Sequence, residues 1–98
     1  MIENIEMLPD LKKNLKRIAL EKNTTMRKLI TDAVLEIINA DESVEETQKS
    51  ENLTSLTINI SRQDKDKVRK YVYYHDCKYR DIWVAAAQRV VDNNRELI

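Results

Sequence analysis

Few places in this chain could carry covalent chemistry. It holds one cysteine, Cys77, one histidine, His75, and no glycine. The sequence offers no nucleophile with a base beside it, no paired acids and no glycine-rich phosphate loop, so no catalytic residue is expected and the chain does not read as an enzyme. One thiol and one imidazole cannot build a disulfide framework or a Cys/His-rich metal site, so neither a metal nor a cofactor is expected. Cys77 reads as an inert thiol and His75 as a surface residue at a helix end. What remains is hydrogen-bonding chemistry. In Ser55-Leu56-Thr57-Ile58-Asn59-Ile60-Ser61 polar and apolar residues alternate strictly, the period of an extended strand. Leu56, Ile58 and Ile60 share one face, and Ser55, Thr57 and Asn59 share the other, where hydroxyls and a carboxamide can both donate and accept.

A strand this short cannot satisfy its own backbone and must pair. The candidate partner is the fainter strand at residues 2–7, with Ile5 and Met7 at alternating positions. Everything else reads as helix. Pro9 and Asp10 suit a first helical turn, and Leu11, Leu15, Ile18 and Ala19 then recur on one face. Asn23-Thr24-Thr25 reads as a stop and restart, with Thr25 as N-cap; Met26, Leu29, Ile30, Ala33, Val34 and Ile37 carry the second helix to about Ala40. Ser61 caps a third helix that turns Val68, Tyr71 and Val72 inward and runs to about His75. Asp76 is the break. Tyr79, Ile82, Trp83, Ala86, Ala87 and Val90 form the apolar face of a last helix ending near Asn93.

Shifted by 53 residues, the chain falls on itself without a gap. Ile5 meets Ile58, Met7 meets Ile60, Leu15 meets Val68, Ile18 meets Tyr71 and Asn23 meets Asp76. Leu29 meets Ile82, Ala33 meets Ala86, and Ile37 meets Val90, while Lys12, Lys16, Arg17 and Arg27 meet Lys65, Arg69, Lys70 and Arg80. Leu11 on Asp64 is the main misfit. The chain therefore divides into a strand–helix–helix unit at 1–40, a polar acidic linker at 41–53 and a second unit at 54–98. Each unit is too small to bury its own apolar faces. Interlocking solves this: the strands pair antiparallel, four helices share one core, and the outer ribbon face lies on the surface. A two-stranded ribbon of this kind fits the major groove of B-DNA.

Both units resemble the ribbon-helix-helix superfamily, the MetJ/Arc type of DNA-binding proteins. The resemblance is carried by Leu56–Ser61 with the Val68–Val72 helix, and by Leu15–Ala19, Asn23–Thr25 and Leu29–Val34. Two motifs in one chain resemble the tandem arrangement of some accessory proteins of conjugative-plasmid relaxosomes. The fold implied is mainly α with a short two-stranded antiparallel ribbon, the tandem motifs forming one interlocked domain or pseudo-dimer. The resemblance implies base reading by Ser55, Thr57, Asn59, Asn4 and Glu6. It implies phosphate anchoring at the start of each second helix, by Thr24, Thr25 and Arg27 in one unit and by Cys77, Lys78 and Arg80 in the other. The chain departs from the family at the inter-helix turns, where Asn23 and Asp76 replace a small residue, and at Lys78, which replaces a capping hydroxyl. Glu6, with Glu3 nearby, sets carboxylates where a polyanion would lie, so the first strand is expected chiefly to complete the fold.

The expected function is sequence-specific binding of double-stranded DNA, as a transcriptional repressor or a plasmid relaxosome or partition accessory factor. The alternative is a protein–protein module, an antitoxin or adaptor on the same fold. Net charge is zero overall, but it is −3 over residues 42–52 and +3 over residues 53–98, a mildly basic half behind an acidic connector. The linker could stretch roughly 45 Å, which favours pairing within one chain over a homodimer; higher oligomers on adjacent sites are compatible with either. No apolar run is long enough to span a membrane, no signal-peptide pattern opens the chain, and a cytoplasmic setting is expected. Tyr71, Tyr79 and Trp83 are core by spacing, Tyr73 or Tyr74 is a candidate interface cover, and Lys12, Lys13, Lys16 and Arg17 read as a solvated helix face.

Overall fold

A computed structural model of the chain describes residues 1–47 and 52–98. The element order is β1 (Ile2–Met7), α1 (Pro9–Glu21), α2 (Met26–Asn39), β2 (Thr54–Asn59), α3 (Arg62–His75) and α4 (Tyr79–Asn93), closed by a short 3-10 turn at Arg95–Leu97. The architecture is mainly helical, with one two-stranded antiparallel sheet made by β1 and β2. Among the described residues, no helix is long and apolar enough to cross a membrane.

Alternation in the two strands sorts their side chains as the sequence requires. Ile5, Met7, Leu56, Ile58 and Ile60 are buried, and Asn4, Glu6, Ser55, Thr57 and Asn59 are exposed. The inner ribbon face thus closes the core, where Leu15, Ile18, Ile30, Val68, Ile82, Ala86 and Ala87 have no accessible surface. Burying each large aliphatic side chain contributes about 1.5–3 kcal/mol, which makes this core the main stabilising term. α2 packs along α4, α1 crosses to α4 and α2 to α3, so the first pair of helices is threaded into the second.

A chain without glycine needs another residue wherever the backbone turns left-handed. Asn23, Asp41 and Asp76 take that role, with φ of 55°, 51° and 50°. Asn and Asp tolerate this region because their short polar side chains bond locally. After α1, the Thr24 N–H returns to the Ala19 carbonyl (2.9 Å) and the Asn23 N–H to Leu20 (3.2 Å). These two hydrogen bonds close a Schellman motif. The helix starts are equally explicit: Thr25 Oγ1 accepts from the Lys28 N–H (3.1 Å), Ser61 Oγ accepts from Asp64 (3.1 Å), and Pro9 opens α1.

Two expectations change. Tyr79 is not core: it is exposed at the first turn of α4, and its ring lies under Lys65 Nζ, 4.3 Å from the centroid. The helical stripe extends to Tyr79 on paper, but the position lies beyond the end of the packed core. The acidic linker is also more than a connector. Asp41–Thr47 lies along the body: Asp41 Oδ1 bonds His75 Nε2 (2.7 Å), Val44 packs against the core, and Glu42 receives the Tyr71 hydroxyl on its carbonyl and Arg89 on its carboxylate. Of the linker expected at 41–53, residues 48–51 lie outside the described residues.

Candidate functional site

The register of the ribbon determines which outward side chains meet. Ile2 lies opposite Asn59, Asn4 opposite Thr57, and Glu6 opposite Ser55. These six positions form one exposed patch, and all five residues expected to read bases lie in it. At its centre the Thr57 hydroxyl donates to Asn4 Oδ1 (2.7 Å), leaving the Asn4 amide hydrogens directed away from that bond. At one end, Asn59 Oδ1 accepts from the Met1 nitrogen (3.0 Å), which also bonds the Ile60 carbonyl (2.8 Å). The Asn59 amide group keeps its donors for an outside acceptor.

The first strand is a fuller member of this patch than expected. Glu3, placed by sequence near the reading face, lies inward of it and pairs with Lys65; their side chains retain 13% and 16% of their exposure. Its charge is therefore matched inside the protein, and Glu6 is the one carboxylate on the outer face. Ile2 was not expected there at all. It is 72% exposed beside Asn59. Strand parity could have revealed it, because Ile2, Asn4 and Glu6 share a face.

Cations border the ribbon. Lys12 Nζ donates to the Ser55 carbonyl (2.8 Å), and Arg27 Nη1 to the Asn59 carbonyl (3.3 Å). Arg27 thus stands at the start of α2 with Thr24 and Thr25, joining the expected phosphate anchor to the end of β2. Thr25 and Arg27 are exposed, and Thr24 is half-buried.

The second expected anchor is built differently. Cys77 is half-buried and packs against the core. Burial, then the carboxylates of Asp81 and Asp76, push its thiol above the ordinary range, which disfavours the thiolate. Lys78 is exposed, but its N–H is taken by Asp81 Oδ2 (3.0 Å), so this helix start is capped from within. Arg80 is half-buried and turns toward the linker, where Nη2 donates to the Thr47 carbonyl (3.3 Å). Asp81 is 4% exposed, and burial alone would raise its pKa. The N–H groups of Thr47 and Lys78, with the charge of Arg80, outweigh that and hold the carboxyl below its usual value. Sequence reasoning missed Asp81; its signal was an acid three residues after Lys78, at the third helical position.

Elsewhere, Leu20, Tyr73 and Tyr74 are each 79% exposed, and the two tyrosine rings meet edge to face at 5.4 Å. Among the described residues no group of three or more His, Cys, Asp or Glu could hold a metal ion. Compared with protein-family models, with curated proteins and with solved structures, the chain matches none.

Proposed function

We propose that the chain is a tandem ribbon-helix-helix protein that binds double-stranded DNA by setting β1 and β2 into the major groove. One observation carries the reading: the ribbon's inner face is consumed by the core, while its outer face presents Asn4, Thr57, Asn59, Ser55 and Glu6 to solvent. Two strands about 4.8 Å apart, with their side chains, suit a groove about 12 Å wide. Thr57 and Asn4 can donate to and accept from base edges, and Ile2 adds an apolar contact.

The tandem repeat draws support from the ribbon's register. The residue 53 positions beyond Asn4 is Thr57, and these two residues lie directly opposite each other. A strand pair centred on two equivalent residues is what a local two-fold axis between the motifs requires. The same offset relates the left-handed turns at Asn23 and Asp76, and it carries α1 and α2 onto α3 and α4. Packing of α1 on α4 and of α2 on α3 is the interlock of an intramolecular pseudo-dimer.

Arg27, Thr24 and Thr25 would hold a phosphate beside the ribbon, since free N–H groups and the helix dipole favour an anion there. Repressor and relaxosome or partition accessory factor are both uses of such a ribbon in the cytoplasm. The exposed Leu20, Tyr73 and Tyr74 favour a second reading, a module that holds a partner protein. Selection of bound duplexes from a random pool separates the two. Enrichment of one non-palindromic sequence is expected, because Ile2, Asn4 and Glu6 differ from Ser55, Thr57 and Asn59. Failure to retain any duplex at about 50–100 mM salt refutes DNA binding, since phosphate contacts dominate there.

A further inference from the structure

The 53-residue offset makes the starts of α2 and α4 equivalent, yet the rest of the chain treats them differently. Arg27 and Lys28 at α2 correspond to Arg80 and Asp81 at α4. Arg27 also donates to a backbone carbonyl, that of Asn59 (3.3 Å), but remains exposed beside the ribbon, whereas Arg80 is half-buried. Arg80 is held by the Thr47 carbonyl (3.3 Å), its Nε is buried with no partner among the described residues, and Thr47 is held in turn by its N–H to Asp81 Oδ1 (2.9 Å). The segment reaches that point because its start is clamped, through Asp41 to His75 and through Glu42 to Tyr71 and Arg89.

We propose that Asp41–Thr47 is an autoinhibitory strap that keeps Arg80 from DNA, so that the ribbon grips the backbone through the α2 side until Thr47 is released. The inference rests on the duplex-binding reading above. The strap is a weak competitor by design of its bonds. A neutral carbonyl holds one arm of the guanidinium at the long end of hydrogen-bond range, whereas a phosphate accepts charge-assisted, bidentate bonds roughly twice as strong. Leaving Nε buried without a partner is a further cost that release removes. Exposed Glu45 and Glu46, next to Thr47, add repulsion toward a polyanion while the strap is down.

Two full-length variants test the strap against a mixed-sequence duplex. Thr47→Pro removes the N–H that bonds Asp81, and Val44→Ser removes the side chain that packs the strap against the core while keeping Glu45 and Glu46 in place. Both are checked for native helix content by circular dichroism. Each is expected to bind more tightly than the parent and to steepen the salt dependence by about 0.9 in log K per log salt, one added phosphate contact. The advantage over the parent then shrinks roughly threefold between about 50 and 200 mM salt. Adding Arg80→Gln to either variant is expected to cancel the gain. A gain that survives Arg80→Gln, or affinity and slope that do not rise in either variant, overturns the strap. A parent that retains no duplex at about 50 mM salt overturns the DNA-binding reading instead, so the two failures are distinguishable.

Discussion

Thr57 and Asn4 are coupled before any ligand arrives, and that coupling can be measured. The Thr57 hydroxyl donates to Asn4 Oδ1 at 2.7 Å on an exposed face. In Thr57→Ala the fold keeps its buried surface, since Thr57 contributes nothing to the core. The exposed hydrogen bond and the lost β-branch together cost at most about 1–2 kcal/mol of stability. Binding to a selected duplex suffers more. Loss of the Thr57 base contact is worth about 1–3 kcal/mol, and Asn4 also loses the bond that orients its carboxamide. Specific affinity should therefore fall roughly 5- to 150-fold, with affinity for random duplex changed by less than about twofold. Asn4→Ala should behave alike, and the double variant should lose less than the sum of the singles by about 0.5–1.5 kcal/mol, because each single change already breaks the shared bond. Fluorescence anisotropy on a selected and a scrambled duplex supplies all the required constants. Equal losses on both duplexes would show that this pair does not read sequence. Strict additivity would show that the observed hydrogen bond does not orient the readers.

Arg27→Gln should weaken selected and random duplexes alike and flatten the log–log salt slope by about 0.9, as titrations from about 50 to 200 mM salt can show. Asp81 has a folded pKa below its unfolded one, so its stabilising contribution is complete above the ordinary carboxylate value near 3.9 and disappears as pH falls through the lower folded value. The stability gap between parent and Asp81→Asn in urea melts should accordingly be narrower at about pH 3 than at pH 6, and an unchanged gap would contradict this. Asn23→Val puts a β-branched side chain at φ 55° and should cost at least about 1–2 kcal/mol, read as a lowered urea midpoint with an unchanged m-value.

Local physics explains why so much of the fold was readable. Helix starts were visible in Thr25, Ser61 and Pro9 because capping is a contact between near neighbours, and the stops were visible in Asn23 and Asp76 because few residues other than glycine accept a left-handed turn. The strands were visible because one face had to be apolar and the other polar. The linker contacts were not, since they join backbone atoms of Glu42 and Thr47 to Tyr71, Arg80 and Asp81 across 29 to 34 residues of sequence. No periodicity encodes such bonds. Glu3 was misjudged for a related reason: its neutralising partner, Lys65, lies 62 residues away. For the candidate site, the outward residues followed from parity, but their mutual engagement required the register.

A tether changes what a ribbon can do. When two identical chains pair, every outward residue of one strand is repeated on the other, and the face must be symmetric about its centre. Two strands of one chain are free of that constraint, because each has its own sequence. Here the central pair is Asn4 with Thr57, one end is Ile2 with Asn59, and the other is Glu6 with Ser55. The carboxylate of Glu6 makes its end less favourable to phosphates and bases, whereas the Asn59 end carries Arg27 on its carbonyl and an exposed aliphatic group. The same polarity recurs one layer out, where Arg27 at the start of α2 is exposed and Arg80 at the start of α4 is half-buried against the Thr47 carbonyl. Both differences fall at positions related by the 53-residue offset, Glu6 with Asn59 and Arg27 with Arg80. If the ribbon binds duplex as proposed, one open and one covered anchor would seat it in a single orientation, and the footprint on a selected site should be asymmetric.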